Sequence, residues 1–564
     1  MPLPYLQPSA EQVDVQDTAF TTDALGRYVC STWGEATGNG GPPFDVVIVG
    51  AGAYGAYLAA ALYRARPTAR VLVLDAGSYL VGEHVQNLGR IGLEVPGPVG
   101  EDPGVARELV WGLPWRGNVD FPGLAYCLGG KSLYWGGWCP RLTPADLAQW
   151  PSQTADHLRQ HYTDVESETG VVPGTDFIFG ELHEALFPAV TGATTGLPDL
   201  VAVEEAPLAV QGEPPVSGMF SFDKFSSLPL LVETIRRDVR DSPGSDAARR
   251  LFLVPRAHVI ALHTAGGVVH AAEVDVAGER RFLPIGKGCS VVLAASAIES
   301  TRLALHSFPS PLMGRNLTAH LRSDFTVRLR RDVLPPLPER VQTSALLVRG
   351  TAPAGAFHLQ LTASTSRGGS DELLFKMVPD VEALEAHLAN TDPHWVPLTL
   401  RGIAEMTADR GTPVPHPDRS WIDLSPYETD EYGVPRAYVH LVTSAGDQQT
   451  WQHMDAAAVA LAQRVAGAPD RIQYLYDGHW QSQPFPLTRP FPEWHRGLGT
   501  TYHESGTLWM GSDSATSVTD PLGRFHHVSN AYCCDQAVFP SAGSVNPVLT
   551  GLTLAHRLAR HIPI

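Results

Sequence analysis

The stretch FDVVIVGAGAYGAYLAAALYRA (44–65), followed closely by RVLVLDAG (70–77), sets the fold class. VVIV is a short β-branched run suited to a strand buried on both faces, AYLAAALYRA has helical composition, and VLVL is a second buried strand. Together they predict a βαβ unit. Gly50, Gly52 and Gly55 lie between the first strand and the helix, the context in which this glycine spacing signals dinucleotide binding. The first glycine permits the tight turn and the second lets backbone approach a pyrophosphate. The third allows close helix-to-strand packing, while the helix N-terminus supplies partial positive charge. Asp75 stands 20 residues beyond Gly55 at the end of the second strand, the place for an acid that hydrogen-bonds ribose hydroxyls. Ala76 follows it in the same turn. NAD(P) or FAD would fit this loop equally well.

Outward from that unit the chain is organised discontinuously. Residues 1–43 read as a polar leader ending in GEATGNGGPP, which puts the start of the ordered core at Phe44. Further apolar runs, LFLVPRAHVIAL and CSVVLAAS between 251 and 296 and AYCCDQAVFP at 531–540, read as later pieces of the same nucleotide-binding sheet. The expected division is a discontinuous dinucleotide-binding domain (44–145, 247–330 and 496–564) interrupted by a substrate-binding domain (146–246 and 331–495). In the inserted part, RAYVHLVTS alternates like a half-buried antiparallel strand and WQHMDAAAVALAQRVAG reads as a helix. The fold class is α/β, α+β overall: a Rossmann-type domain plus an inserted domain built on an antiparallel sheet with helices.

Composition narrows the function. At 564 residues the chain exceeds one ordinary core, with 44% hydrophobic and 18% charged residues. A formal charge of −18 disfavours nucleic acid and anionic membranes. No run approaches the ~18 apolar residues of a membrane span. The N-terminus lacks a basic start and an apolar run, so cytoplasmic location is expected. Six cysteines occur without C-x-x-C or metal-finger spacing. Vicinal Cys533 and Cys534 read as packing residues. No H-E-x-x-H motif or comparable ligand cluster occurs, so no metal is expected, and a G-x-S-x-G nucleophile elbow is missing as well.

Four separated segments then point to one family: FPGLAYCLGGKSLYWGGWCPRL (121–142), VVLAASAIESTRLAL (291–305), YHESGTLWMGSD (502–513) and VTDPLGRFHHVSNAYCCDQAVFPSAGSVNPVLTGLTLAHRLA (518–559). With LMGRNLTAHL (312–321) and WIDLSPYETDEYGVPRAYVHL (421–441), they resemble the glucose–methanol–choline (GMC) oxidoreductases, FAD enzymes that oxidise alcohols. GGKSLYWGGWCPR is most similar to the sugar-oxidising pyranose oxidases within that family. The resemblance implies that Gly129, Gly130 and Ser132 line pyrophosphate and flavin, with Tyr134 and Gly136 in the same segment. It further implies that Val259 offers backbone to adenine, that Asp535 and Gln536 meet the pyrophosphate, and that Pro547 and Val548 border the pyrimidine end of the flavin. Some pyranose oxidases carry a histidine linked covalently to flavin where this chain has Tyr134, so non-covalent FAD is expected.

Alcohol oxidation by hydride transfer needs a base for the hydroxyl proton, and histidine titrates near neutrality. Among 22 histidines, His503 matches the family's catalytic position in YHESGT, and Asn546, 43 residues later in SVNP, matches its dyad partner. An amide donates to the substrate oxygen without competing as a base. His453, His526 and His527 read as ordinary satisfied residues. His358 and ASTSRGGSD (363–371) read as a solvated turn. The expected reaction is oxidation of a hydroxyl on a sugar, glycoside or polyol, with oxygen or another acceptor taking the electrons. The alternatives are a dehydrogenase of a non-carbohydrate alcohol, a lyase using His503 as acid–base without net redox, and a flavoprotein serving only as a binding partner.

Overall fold

The computed structural model describes residues 26–82, 84, 111–112, 115–119, 123–171, 180–211, 223–338, 342–365, 390, 392–410 and 413–564. The opening βαβ unit forms as its composition dictates. Strand β1 (Val46–Val49) leads through Gly50–Gly52 into helix α1 (Ala53–Ala65), and β2 (Val71–Leu74) returns parallel to β1. Every residue of both strands is buried, as continuous β-branched runs require when both faces of a sheet are covered.

Downstream come helix α2 (Ser152–Thr169), strand β3 (Leu200–Glu205) and helix α3 (Ser227–Asp241). Strand β4 (Leu251–Val254) pairs parallel with β2, and β5 (Ser290–Leu293) pairs parallel with β1 and leads into helix α4 (Ala297–Ser307). Next are four long strands, β6 (His320–Arg330), β7 (Thr343–Ala352), β8 (Gly355–Ser364) and β9 (Trp395–Glu405). Helix α5 (Ala445–Ala466), the short strands β10 (Ile472–Tyr476) and β11 (His479–Gln481), strand β12 (Ala531–Cys533) and helix α6 (Val548–His561) complete the frame.

Two sheets dominate. The first is five-stranded, order β12-β5-β1-β2-β4, and parallel throughout. The second is seven-stranded, order β11-β10-β6-β9-β8-β7-β3, and antiparallel throughout. The mixed α/β class expected from the sequence is observed. So is the long helix after Ser444, capped by a serine–aspartate capping box and ended by Gly467 in the left-handed conformation. Among the described residues no helix is long and apolar enough to cross a membrane.

Two local readings change. LFLVPRAHVIAL is not one strand: the chain turns at Arg256 (φ 50°), and only β4 joins the parallel sheet. Ala257–Ala265 instead starts a separate three-stranded antiparallel sheet. The core also begins before Phe44. Val29, Cys30 and Ala36 are buried, and Ser31 N–H donates to the Leu253 carbonyl of β4 at 2.8 Å. Polar composition concealed this because only one face of that segment packs.

Candidate active site

The glycine loop closes on itself. Gly50 has φ 102°, and a Cβ there would lie 2.5 Å from the Ala294 carbonyl oxygen. A Cβ on Gly55 would lie 1.9 Å from the Gly50 carbonyl oxygen. Gly52 differs, since a Cβ there would meet nothing within 4 Å. Its open side, at the N-terminus of α1, is the face a ligand would occupy. The second glycine segment is docked on the first: Gly129 N–H donates to the Ala51 carbonyl at 2.8 Å, and Gly129 and Gly130 adopt φ 88° and 51°. Ser132, buried, donates to the Gly129 carbonyl at 2.6 Å and so braces that turn. Tyr134 and Gly136, both half-buried, follow it.

Asp75 has a local duty besides the one expected of it. Its carboxylate accepts from the Ala51 N–H at 2.6 Å and the Gly77 N–H at 2.8 Å, tying the two ends of the βαβ unit together. Burial raises its pKa while these two bonds pull it back. Ala257 N–H donates to the Asp75 carbonyl at 2.7 Å, which sets the strand carrying Val259 beside half-buried Ala76. The side chains of Asp535 and Gln536 are likewise engaged with protein. Asp535 accepts from Ser300 Oγ at 2.5 Å. Gln536 accepts from Tyr54 Oη at 2.8 Å and donates to the Glu504 carbonyl at 2.8 Å and the Tyr502 carbonyl at 3.2 Å. Gln536 thus spans α1 and the backbone on either side of His503. What these two residues leave for a pyrophosphate is backbone.

His503 is held by its neighbours on both sides. Tyr502 takes a left-handed φ of 58°, uncommon for a bulky residue. Ser505 pairs with Thr318 through both backbone groups, at 2.9 and 3.0 Å. That pairing draws RNLTAH alongside YHES and brings His320 to His503, with 2.7 Å between their Nδ1 atoms. His320 Nε2 lies 2.9 Å from the Gly543 carbonyl. On the other side, Asn546 Nδ2 stands 3.4 Å from His503 Nε2, and Asn546 Oδ1 accepts from Gln360 Nε2 at 2.9 Å. Gln360 Nε2 also lies 3.1 Å from His358 Nε2.

Donor and acceptor counting assigns the protons of this chain. A carbonyl only accepts, so His320 carries its proton on Nε2 and presents a lone pair at Nδ1. His503 must then donate from Nδ1, which leaves a lone pair on Nε2 directed at Asn546. Gln360 donates to both Asn546 Oδ1 and His358 Nε2, so the Asn546 amide turns its N–H toward His503. The imidazoles are neutral for physical reasons. Burial pushes the His320 pKa down to about 4, against the Gly543 carbonyl, which raises it. Burial, then the rings of His320 and His358 and the guanidinium groups of Arg322 and Arg401, push His503 well below its ordinary value.

These groups share one face of the antiparallel sheet. His320, Arg322 and Asp324 alternate along β6, Arg401 lies opposite Asp324 on β9, and Gln360 lies opposite Arg401 on β8. The other face packs on α5, where Ser323 Oγ donates to Asp455 at 2.6 Å. His358 is therefore no solvated turn: it is fully buried in β8. The reading failed because ASTSRGGSD suggested a loop that begins only after His358; residues 366–371 lie outside the described residues. His320 and Gln360 were overlooked. The available signal was HLRSDFTVRLR, a strand with polar groups at every second position. His453, His526 and His527 do have ordinary partners, Asp199, Ser517 and the Phe308 carbonyl.

A base next to an amide, beside a Rossmann loop, is a geometry for removing a proton from a hydroxyl. The family model for GMC oxidoreductases matches residues 415–555, which include His503 and Asn546. The chain carries the C-terminal domain of the GMC oxidoreductases. Curated relatives agree with it. A C-glycoside 3-oxidase of Microbacterium trichothecenolyticum is 26% identical over 92% of this chain and 96% of its own length. A paromamine 6'-oxidase of Streptomyces fradiae is 42% identical over 60 residues, 11% of each chain. The crystal structure of a pyridoxine 4-oxidase from Mesorbium loti has the same fold, with TM-score 0.58 and 16% identity over 92% of this chain and 99% of that one. With that domain and oxidase relatives, the protein is an oxidoreductase acting on CH–OH groups, and GMC oxidoreductases are generally flavin-dependent.

Proposed function

We propose that this enzyme oxidises a hydroxyl group of a sugar, glycoside or polyol, with His503 as base, Asn546 as the donor that orients the substrate oxygen, and non-covalently bound FAD as hydride acceptor. The observation that carries the reading is the lone pair on His503 Nε2, fixed by His320 behind it and faced by the Asn546 amide at 3.4 Å. A hydroxyl between those two side chains gives its proton to Nε2 as the carbon loses hydride, so no protonated carbonyl has to form. Asn546 Nδ2 donates to the oxygen meanwhile. His320 is a positioning residue, because it keeps the His503 proton on Nδ1. The relatives named for C-glycoside and paromamine oxidation support the carbohydrate substrate class. An alcohol outside that class is the alternative that substrate profiling decides.

FAD fits the residues present. The open side of Gly52 and the adjoining Gly129–Gly130 turn leave backbone for a pyrophosphate at the positive end of α1. Pro547 caps α6 and Val548 begins it, so a second helix N-terminus lies next to Asn546. In the proposed division the discontinuous parallel sheet carries the cofactor and the antiparallel sheet carries the substrate. Tyr134, in place of a linkable histidine, supports dissociable flavin: acid-precipitated protein should lose its yellow colour to the supernatant. All six cysteines are buried and none is joined in a disulfide among the described residues, which supports a cytoplasmic home. Oxygen or another acceptor would reoxidise the enzyme.

The test is anaerobic mixing of the holoenzyme with sugars, glycosides and simple alcohols while following flavin absorbance. At least one carbohydrate should bleach wild type. In His503→Ala, which should keep its FAD, bleaching should slow by about 10²–10⁴-fold. Wild-type bleaching rates in that variant would remove His503 from the role.

A further inference from the structure

Helix α6, which starts one residue after Pro547, packs along α2, and their seam gathers side chains that alcohol oxidation does not use. On α2, His157, His161 and Asp164 follow at spacings of four and three, which puts them on one face. α6 adds His556. The rings crowd together, with centroids 4.3 Å apart for His157 and His161 and 5.0 Å apart for His161 and His556. His161, Asp164 and His556 each offer a donor atom, all within 4.8 Å of one another.

We propose that His161, Asp164 and His556 bind a divalent transition-metal ion of the zinc or copper type, which fastens α6 to α2. Two imidazoles and a carboxylate form a donor set suited to such ions. Donors around tetrahedral zinc stand about 3.3 Å apart, given bond lengths of about 2.0–2.1 Å. A set already within 4.8 Å needs only side-chain adjustment. His161 Nδ1 and Asp164 Oδ2, now 2.7 Å apart, share a proton whose place the ion takes. His157 is the supporting residue. Its Nε2 lies 3.5 Å from His556 Nδ1, so that edge of His556 faces His157 and Nε2 remains for the ion, the outer contact characteristic of metal-bound histidine.

Access favours the site as well. His556 is buried, His161 half-buried and Asp164 exposed, so the cluster opens to solvent at the carboxylate, where water completes the coordination. Cationic neighbours select against ions held by charge alone, although Arg64 is drawn toward Glu168 at 3.3 Å. Calcium and magnesium, which require several oxygen ligands, are excluded by the donor set. The ion would be structural, because α6 runs from this cluster directly to the Pro547 cap beside Asn546.

The experiment is calorimetric titration of chelator-treated holoenzyme with zinc chloride, together with thermal melting. Wild type should bind one equivalent saturably, with the melting transition raised by about 1–3 °C at saturation, and magnesium should do neither. Cobalt at the same site should give the intense visible bands of a low-coordinate ion. His161→Ala and Asp164→Asn alter accessible side chains, so they should melt like metal-free wild type yet bind no saturating equivalent. Saturable binding unchanged in both variants, or absent from wild type, overturns the site. Flavin bleaching by substrate reports separately on the alcohol reaction.

Discussion

The two large sheets solve opposite problems. In the parallel sheet, β1, β2 and β4 bury apolar side chains on both faces, and the chemical features lie at strand ends, in the glycine turn after β1 and at Asp75 after β2. In the antiparallel sheet, one face rests on α5 while the other carries His320, Arg322, Asp324, Arg401, His358 and Gln360 into the interior. Those polar groups are tolerable because they pair with one another and with His503, Asn546 and the Gly543 carbonyl. Asp324 shows how. Burial would raise its pKa, but Arg401 and Arg322 beside it hold it well below the usual carboxylate range. Local pattern builds the first sheet, and long-range pairing builds the second. Damage to the first should therefore remove cofactor and fold together, and damage to the second should remove chemistry while flavin stays bound.

The largest effect is expected at Gly55. A Cβ added there would stand only 1.9 Å from the Gly50 carbonyl oxygen, so Gly55→Ala must move α1 away from the turn. Overpacking of this kind costs about 1–3 kcal/mol or more, and it falls on the loop proposed to hold the pyrophosphate. The variant should purify largely free of flavin, with a lower melting temperature. Full flavin content would show that the loop has slack the geometry denies.

Acid should separate the sheets next. β1, β2 and β4 contain no titratable group. His320 is neutral when folded, with its pKa lowered by burial to about 4, against ~6.5 in an unfolded chain. Protons therefore favour the unfolded state as pH falls below ~6.5, and the loss is complete near the folded value. The full span corresponds to about 3 kcal/mol from this residue. The His320 contribution should be flat above pH 7 and be lost between ~6.5 and 4, so stability should fall less steeply over that range in His320→Gln than in wild type. Equal slopes in the two proteins would break the assignment. The same physics predicts that flavin reduction keeps its rate well below pH 6.5, because His503 also has a lowered pKa.

This contrast explains what could be read from the sequence alone. Gly50, Gly52, Gly55 and Asp75 declare themselves because a βαβ unit spends only about thirty residues on its signal. His503 and Asn546 were found through motif resemblance, and no periodicity would have singled them out. His320 lay unnoticed in LMGRNLTAHL, since its meaning depends on Thr318 pairing with Ser505, 187 residues away. Gln536 was assigned to a pyrophosphate, but its amide holds the His503 loop, a duty visible only once Tyr54, Tyr502 and Glu504 surround it. His161 and Asp164 make the same point on α2, because His556 joins them only through the packing of α6.

The smallest effect, and the sharpest on how the polar face works, is expected at Gln360. Its amide touches neither His503 nor the region a substrate hydroxyl would occupy; it fixes the direction of Asn546 by donating to Oδ1 at 2.9 Å. Gln360→Leu preserves much of the volume but frees the Asn546 amide to turn over. In the turned state Oδ1 faces the His503 Nε2 lone pair, and no donor remains for the substrate oxygen. A single orienting hydrogen bond is worth about 1 kcal/mol, so flavin reduction should slow by about 5–10-fold. Because His503 keeps its tautomer through His320, the pH profile should not move. His320→Gln should show the reverse emphasis, with a shifted profile, because it disturbs the proton on Nδ1 and leaves Asn546 in place. If both variants slowed reduction equally with unchanged profiles, the face would act through packing alone, and the division of labour between base and amide would fail.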